Sequence, residues 1–203
     1  MKLDGVKVLD LTQFMPGSVL TAIMADHGAE VIKVESPTGD PTRYHEHRGQ
    51  REPDSGTLSF FAGCNRGKSS LSLDLKKPAA LAIIRQLVEQ ADVLVESFRP
   101  GVGSQAMRAL NPRLIYCSVS AFGETGPLRD LPAHDSVVQA YSGSLPRTKD
   151  GIPITDCLPV AALAGALNGL VAVLMALLGA RSTGRGERID ISMRDCLLSA
   201  QPS

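Results

Sequence analysis

Asp156 has the residue type and the sequence position that covalent or acid–base chemistry requires. It directly precedes an apolar stretch, residues 157–180, in which Asn168 is the one distinctly polar side chain. A carboxylate in this position is typical of a helix N-cap, which stabilises a helix by ~1 kcal/mol. The same placement would hold the carboxylate beside fixed backbone N–H groups, where it could attack a carbonyl carbon or remove a proton. Both interpretations stay open on these residues alone.

His134 and Asp135 form a second candidate pair. Adjacent His and Asp residues commonly lie on a surface or cap a helix. Close to Asp156, His134 could instead complete an acid–base pair on opposite sides of a substrate carbon. The 22 residues that separate His134 from Asp156 do not by themselves bring the two side chains together.

A basic, glycine-containing segment at residues 65–70 reads Asn-Arg-Gly-Lys-Ser-Ser. It lacks the GxxxxGK(S/T) spacing of phosphate-binding loops in nucleotide hydrolases, which argues against that class of enzyme. A lysine and an arginine beside a glycine could still bind a phosphate ester. Residues 38–56 are also polar and could form either a solvated loop or a flap over a polyanionic ligand. Within them, His45-Glu46-His47 lacks a third ligand, so no metal site is predicted.

Alternating strand and helix patterns surround these candidates. A strand, a glycine-containing turn, a helix and a second strand within about 30 residues indicate a βαβ unit with a parallel sheet. The predicted fold class is therefore α/β, with a Rossmann-like, doubly wound, mostly parallel sheet. Ligands of such sheets bind outside the carboxyl ends of the strands. Strands are predicted at 6–11, 31–34, 92–96, 113–119 and 187–193, and helices at 18–28, 78–90, 157–180 and 194–200.

The apolar stretch at residues 157–180 allows two interpretations. About 20 apolar residues suffice to span a bilayer. This stretch is rich in alanine and glycine, however, and small residues are typical of a helix that packs closely on all sides within a protein. A buried helix is therefore expected.

Composition places the chain among ordinary globular proteins. It has 203 residues, with 21 lysines and arginines balancing 21 aspartates and glutamates. A net charge of zero argues against nucleic-acid binding through bulk electrostatics. The four cysteines include no CxxC pair, and the N-terminus carries no signal-peptide pattern. Free thiols, no metal, no membrane partner and a cytoplasmic location are the resulting expectations.

Seven segments in order give the chain a family resemblance. Together they resemble the family III CoA-transferases, or CaiB/BaiF family, which include formyl-CoA transferase-like and α-methylacyl-CoA racemase-like enzymes. The segments are LDGVKVLDLT, ADHGAEVIKVESPTGDPTR, NRGKSSLSLDLKKP, ADVLVESFRPG, LNPRLIYCSVSAFGETGP, AHDSVVQAYSG and TGRGERIDISMRD. They are spread from residue 3 to residue 195, along almost the whole chain, which strengthens a signal that each alone would give weakly.

The resemblance implies transfer of coenzyme A between an acyl-CoA and a carboxylic acid. It makes Asp156 the nucleophile, which would carry CoA as an aspartyl thioester. Coenzyme A is then a moiety of the substrate, and no prosthetic group is expected. The resemblance also implies an interlocked homodimer for a full-length chain, and a second, smaller domain.

The racemases are the alternative within the same family. In them, a His and the same aspartate exchange an α-proton as two bases, and here Ala133-His134-Asp135 supplies the His. The following Ser136 to Ala140 is closer to the transferases, which often have D-x-x-x-Q-A. The resemblance therefore favours a transferase over a racemase.

Contacts to CoA are also implied by the resemblance. Lys68 and Arg99 are expected at its phosphates, and the turn Glu35-Ser36-Pro37 on its adenosine side. The remaining implied contacts are Asn65, Arg66, Ala133 and Asp135.

Two departures from the family pattern concern length. Only residues 103–110 lie between the Arg-Pro-Gly-Val and Asn-Pro-Arg-Leu segments, where the family usually has more. Family members are roughly twice as long. Residues 1–203 are therefore interpreted as the N-terminal portion of the large domain, without the small domain, and an inactive truncated member is the third hypothesis.

Overall fold

One parallel sheet organises the part of the chain that the structure describes. The structure is a computed structural model, and it describes residues 1–44, 59–98, 103–155 and 158–201. The strand order is β3-β2-β1-β4-β5-β6, and every pair is parallel. The strands are β1 (Lys7–Leu11), β2 (Glu30–Glu35), β3 (Ser69–Ser72), β4 (Val93–Glu96), β5 (Ile115–Ser120) and β6 (Arg188–Ser192).

Helices connect these strands. They are α1 (Gly17–Asp26), α2 (Ser59–Asn65), α3 (Pro78–Gln90), α4 (Ser104–Leu110), α5 (Asp135–Tyr141), α6 (Val160–Thr183) and α7 (Met193–Ser199), with a 3-10 turn at Pro41–Arg43. This arrangement confirms the predicted Rossmann-like, doubly wound sheet. The predicted helix at residues 78–90 matches α3, whose first residue is a proline, as the N1 position favours.

The two faces of the sheet form separate apolar cores. Successive side chains of a strand point to opposite faces. Val8 accordingly joins the core beneath α1 and α6, which includes Leu20 and Met24. Leu9 and Leu11 join the core beneath α3, around Ile84 and Val88.

Helix α6 lies against the sheet through its smallest residues. A Cβ atom added at Gly169 would lie 2.7 Å from the Cδ1 atom of Leu20, and one at Gly165 would lie 3.1 Å from the Cγ atom of Met193. Close approach of this kind explains the glycine and alanine content of the segment.

The opposite side of α6 contradicts the expectation of burial on all sides. Its large apolar side chains recur every three or four residues and are 38–65% exposed: Val160, Leu163, Leu167, Val171, Met175 and Leu178. The reason is that α6 forms the outermost layer over the sheet, and among the described residues no element packs on its outer face. By length and composition alone α6 could cross a membrane, but its inner face is part of the folded core.

Candidate active site

The candidate site lies where the strand order reverses. Strands β2 and β4 flank β1 on either side, so the loops that leave β1 and β4 diverge and open a crevice, where ligands of this fold bind. A cavity of about 460 Å³ occupies this crevice. It is lined by the loop after β1, by the residues after β4 and β5, and by the start of α5, namely Gln13–Pro16, Ser97, Phe98, Ser120–Phe122 and His134.

A second cavity of about 380 Å³ adjoins the first. Both are lined by Phe14, Met15, Ala133, His134 and Met193. The second is also lined by Asp135, Thr155 and Pro159. We call the two cavities together the switch-point cleft.

His134 is exposed on the wall that the two cavities share. It occupies the N-cap position of α5, and its ring meets that of Phe14 edge to face, with centroids 5.7 Å apart. Phe14 has a φ of 55°, in the left-handed region that costs a residue with a Cβ of the order of 1 kcal/mol. The strained loop after β1 therefore supplies the aromatic wall against which His134 rests.

Asp156 and Arg99 lie outside the described residues. The chain on either side of Asp156 is described, and Thr155 and Pro159 both line the cavity that contains His134. The prediction that Asp156 is the nucleophile and the prediction that Arg99 binds a phosphate both stay predictions.

Asp135 turns toward helix α6. Its Oδ1 atom accepts a hydrogen bond of 2.6 Å from the backbone N–H of Ala162, and its other oxygen accepts one from the side-chain amide of Gln139. The carboxylate therefore serves as a cap for α6 that is supplied by α5. Its contact with CoA stays a prediction, whereas its contact with α6 is observed.

Glu35 lies in an interior ion pair at the end of β2. The guanidinium of Arg43 donates two hydrogen bonds of 2.7 Å to its carboxylate, and the hydroxyl of Ser70 donates another of 2.7 Å. Arg43, together with Ser70 and the backbone N–H of Asp40, lowers the pKa of Glu35 to about 2, although burial opposes the shift. In the same turn, the hydroxyl of Ser36 bonds to the carbonyl of Gly39, and Pro37 is exposed.

Lys68 points into the protein. Its ammonium group donates to the carboxylate of Asp10, the carbonyl of Ser18 and the side-chain carbonyl of Asn65, each at 2.8 Å. These bonds use all three ammonium hydrogens. In this arrangement Lys68 and Asn65 bind each other, and the predicted phosphate contact of Lys68 would require a bond to Asp10, Ser18 or Asn65 to break.

A second lysine completes this interior group. The ammonium of Lys33 lies 3.0 Å from Asp40 and donates to the carbonyl of Thr12 at 2.9 Å. Two carboxylates, of Asp10 and Asp40, therefore face two ammonium groups in the interior. Although burial raises the pKa of Asp10, Lys68 and Lys33 outweigh it and lower that pKa. Burial lowers the pKa of Lys68, and Asp10 opposes that shift.

Arg66, by contrast, is exposed and forms an ion pair with Asp26. Of the residues that the sequence singles out, the structure thus brings the candidate base His134 and the candidate CoA contacts Ala133 and Asp135 to the switch-point cleft. Glu35, Asn65 and Lys68 belong to the interior beneath the neighbouring loops.

Comparison with known protein families identifies the family of this chain. The model of "CoA-transferase family III" matches residues 3–203. The chain belongs to CoA-transferase family III.

Relatives of the chain in this family are transferases by name. The succinate–glutarate CoA-transferase of Agrobacterium fabrum is 37% identical, over 95% of this chain and 51% of that protein. The acetyl-CoA:oxalate CoA-transferase of Acetobacter aceti is 40% identical, over 97% of this chain and 52% of that protein. The chain therefore spans about half the length of the curated relatives it matches.

Solved structures of the family share the fold. A CaiB/BaiF family protein from Brucella suis superposes with a TM-score of 0.87 at 34% identity, over 98% of this chain and 55% of that one. A hypothetical protein from Mycobacterium tuberculosis gives a TM-score of 0.88 at 34% identity, over 98% and 56% of the two chains.

Sequence analysis missed a buried acidic cluster at the end of β4. Glu96 is 3% exposed and accepts a 2.5 Å hydrogen bond from the backbone N–H of Phe98, which lines the cleft. Burial raises the pKa of Glu96, and the nearby Glu124 adds to the shift. Glu124 in turn pairs with Arg188. The available signal was a repeated tripeptide, since Val-Glu-Ser occurs at residues 34–36 and again at 95–97.

Metal and thiol chemistry add little to this site. Within residues 1–44, 59–98, 103–155 and 158–201, no three potential ligands cluster as a metal site would require. His45, Glu46 and His47 lie outside those ranges, as does Cys157. Cys64 and Cys117 are buried free thiols, as predicted, and Cys196 is half-buried. Burial raises the pKa of Cys117, which disfavours its reactive thiolate.

Proposed function

We propose that this family III protein transfers coenzyme A from an acyl-CoA to a carboxylic acid through an aspartyl-CoA intermediate at Asp156. Family membership and the names of the relatives support CoA transfer in general. The observation that best supports the site is that Thr155 and Pro159, on either side of Asp156 in sequence, line the same cavity as His134. That cavity adjoins the crevice where this fold binds ligands.

The first half-reaction would load the enzyme with CoA. The carboxylate of Asp156 attacks the carbonyl carbon of the thioester, a C–O bond forms, and the C–S bond breaks to release the CoA thiolate. The thiolate then attacks the aspartyl carbonyl of the mixed anhydride. The donor acid departs as its carboxylate and leaves an aspartyl-CoA thioester.

The second half-reaction reverses this sequence with a new acid. The acceptor carboxylate attacks the aspartyl carbonyl and expels the CoA thiolate. The thiolate then attacks the acyl carbon of the acceptor, which forms the new acyl-CoA and restores the carboxylate of Asp156. Each step exchanges one bond to carbon for another, so no redox partner or prosthetic group takes part.

Trapping the intermediate tests this proposal. The protein is incubated with acyl-CoA donors and quenched with hydroxylamine, which converts an aspartyl thioester or anhydride to a hydroxamate. Peptide mass spectrometry should then locate the hydroxamate on Asp156. Asp156→Asn should abolish the label, whereas Asp150→Asn, in an exposed turn nearby in sequence, should retain it. Absence of label from the unaltered protein would contradict the proposal.

The position of His134 supports α-proton exchange as a second candidate activity. His134 is exposed to both cavities, where a substrate α-carbon could reach it. In heavy water, a racemase would introduce deuterium at the α-carbon of a 2-methylacyl-CoA, and both His134→Gln and Asp156→Asn would prevent it. Under the transferase proposal, His134→Gln retains the hydroxamate label and no deuterium enters.

A further inference from the structure

We propose that Asp135 and Gln139 act as a positioning pair, fixing the start of α6 relative to the switch-point cleft. The inference rests on the proposed function, because α6 begins four residues after Asp156. It assigns Asp135 a role other than the CoA contact that the family resemblance implied. It also assigns a role to Gln139, which sequence analysis left without one.

The pair holds the chain on both sides of the first residue of α6. Asp135 accepts the backbone N–H of Ala162 at 2.6 Å, and the side-chain N–H of Gln139 donates to the carbonyl of Leu158 at 2.9 Å. The side-chain N–H of Gln139 also donates to the other carboxylate oxygen of Asp135, Oδ2. Asp135 and Gln139, one turn apart on α5, thus bind a backbone N–H and a backbone carbonyl that are four residues apart at the start of α6.

Within residues 158–201, helix α6 supplies no equivalent support of its own. Its N-cap residue is Pro159, whose side chain cannot accept a hydrogen bond, and its first turn has no acidic residue. A helix leaves its first four N–H groups without intrahelical partners. Asp135 therefore supplies a cap from 27 residues upstream, which couples two elements that the sequence separates.

The same turn of α5 also sets the position of His134. His134 is the N-cap residue of α5, and Val138, 0% exposed, packs with Ala161 and Ala162 at the start of α6. His134 and the beginning of α6 are consequently parts of one packed unit. A change that loosens the pair should move the chain that follows Asp156 while leaving the opposite wall of the cleft in place.

The contact requires a hydrogen-bond acceptor at residue 135 and a hydrogen-bond donor at residue 139. Asp135 offers two acceptor oxygens and Gln139 offers two donor hydrogens. In Asp135→Asn, an amide nitrogen would face the amide nitrogen of Gln139 or the N–H of Ala162. In Gln139→Met, the side-chain volume is kept, but both donated hydrogen bonds are lost. Both variants keep the shape of the packed unit, so they should fold.

Asn111 provides a matched control. Its side-chain amide donates to the carbonyls of Val88 and Ala91 at 2.9 and 2.8 Å, at the end of α3 and away from the cleft. Asn111→Leu removes these two hydrogen bonds and the one that the backbone N–H of Arg113 donates to Asn111 at 3.0 Å, so it loses at least as many side-chain hydrogen bonds as Gln139→Met. The two variants should lose similar stability.

The test measures amide hydrogen exchange and the rate of hydroxamate labelling at Asp156. In Asp135→Asn and Gln139→Met, we expect faster exchange in residues 158–163 and labelling slowed roughly 10- to 100-fold, because small misplacement of a reacting group is costly. The affinity for CoA should change less than twofold. The double variant should be little worse than either single one, since both remove the same contact. Asn111→Leu should change neither the exchange of residues 158–163 nor the labelling rate.

Two results would overturn the inference. One is labelling at the unaltered rate in Gln139→Met, and the other is equal slowing in Asn111→Leu. If the unaltered protein forms no label, the proposed function fails by itself. The pair is then judged by exchange alone, and unchanged exchange of residues 158–163 in Gln139→Met would refute it.

Discussion

The same tripeptide, Val-Glu-Ser, ends two strands of the sheet, and its two glutamates behave in opposite ways. Glu35 ends β2 and Glu96 ends β4, so the two carboxyl groups lie on either side of β1. Both are buried, at 5% and 3% exposure. The pKa of Glu35 is lowered to about 2, whereas that of Glu96 is raised.

The difference comes from the charges that surround each carboxyl group. On the β2 side, Asp10, Glu35 and Asp40 face Lys33, Arg43 and Lys68, so carboxylates and cations are equal in number. On the β4 side, Glu96 lies near Glu124, and the cation Arg188 is already paired with Glu124. Burial penalises a charge, and only a nearby opposite charge offsets that penalty. Local sequence therefore places a glutamate, while distant residues decide its ionisation.

The largest expected effect comes from a substitution that removes one cation from the balanced charges on the β2 side. Lys68→Met leaves the buried Asp10 with one of its two cations, Lys33, 4.0 Å away. We expect the free energy of unfolding to fall by about 3–5 kcal/mol in urea denaturation. Arg66→Met, which removes an exposed ion pair with Asp26, is the control and should cost less than about 1 kcal/mol. Equal losses in the two variants would contradict the interior role of Lys68.

Glu35→Gln should have the next largest effect, and it should depend on pH. The pKa of Glu35 is about 2 in the folded protein against 4.5 ordinarily. The ionised group therefore stabilises the fold above pH 4.5, and that stabilisation disappears as the pH falls toward 2. At neutral pH we expect a loss of about 3 kcal/mol.

Denaturation curves between pH 2 and 7 provide the measurement for Glu35→Gln. The stability of the variant should approach that of the unaltered protein at the acidic end of the range. A difference that stays constant with pH would show that the ion pair with Arg43 is not its source.

Glu96→Gln should have a smaller effect of the opposite sign. Because burial raises the pKa of Glu96, the folded protein favours the protonated carboxyl, and Glu96 does not destabilise the fold below pH 4.5. The destabilisation develops as the pH rises through the folded-state pKa. A neutral amide should therefore stabilise the protein at neutral pH by about 1 kcal/mol. The gain should vanish below pH 4.5 in the same denaturation series. A loss of stability at neutral pH would refute this account of Glu96.

Ser70→Ala should have the smallest effect and would sharpen the assignment on the β2 side. It removes one of the hydrogen bonds to the carboxylate of Glu35 while the pair with Arg43 remains. We expect a loss of about 0.5 kcal/mol at neutral pH. The acid limb of the stability curve should shift to slightly higher pH, because the pKa of Glu35 rises. Ser72→Ala, at the exposed end of the same strand, is the control and should leave that limb unchanged.

Strongly periodic segments allowed much of the fold to be predicted. The helix at residues 78–90 was predicted to the residue, and the predicted ends of strands β1, β2, β4, β5 and β6 lie within two residues of the observed ends. Strand β3 was missed because its sequence, Ser-Ser-Leu-Ser, is polar and lies at the edge of the sheet, where burial imposes little pattern.

The candidate site was less predictable, for a physical reason. Family resemblance singled out His134, which lines the cleft in the structure, and its catalytic role stays a prediction. The interior position of Lys68 depends on Asp10, which is 58 residues away, and no local spacing reveals such a pair. Likewise, the backbone N–H that donates to Asp135 belongs to Ala162 in α6, 27 residues downstream. Tertiary contacts of this kind are visible only once the sheet order is known.

The group of Asp10, Lys33, Asp40 and Lys68 also constrains the order of events during synthesis. At a translation rate of about 5–20 residues per second, Lys68 emerges roughly 3–12 s after Asp10. Until then, the nascent β1 and β2 would hold two carboxylates against the single cation Lys33. We therefore expect the carboxyl end of this half of the sheet to close after the chain has passed α2, when Lys68 completes the charge balance.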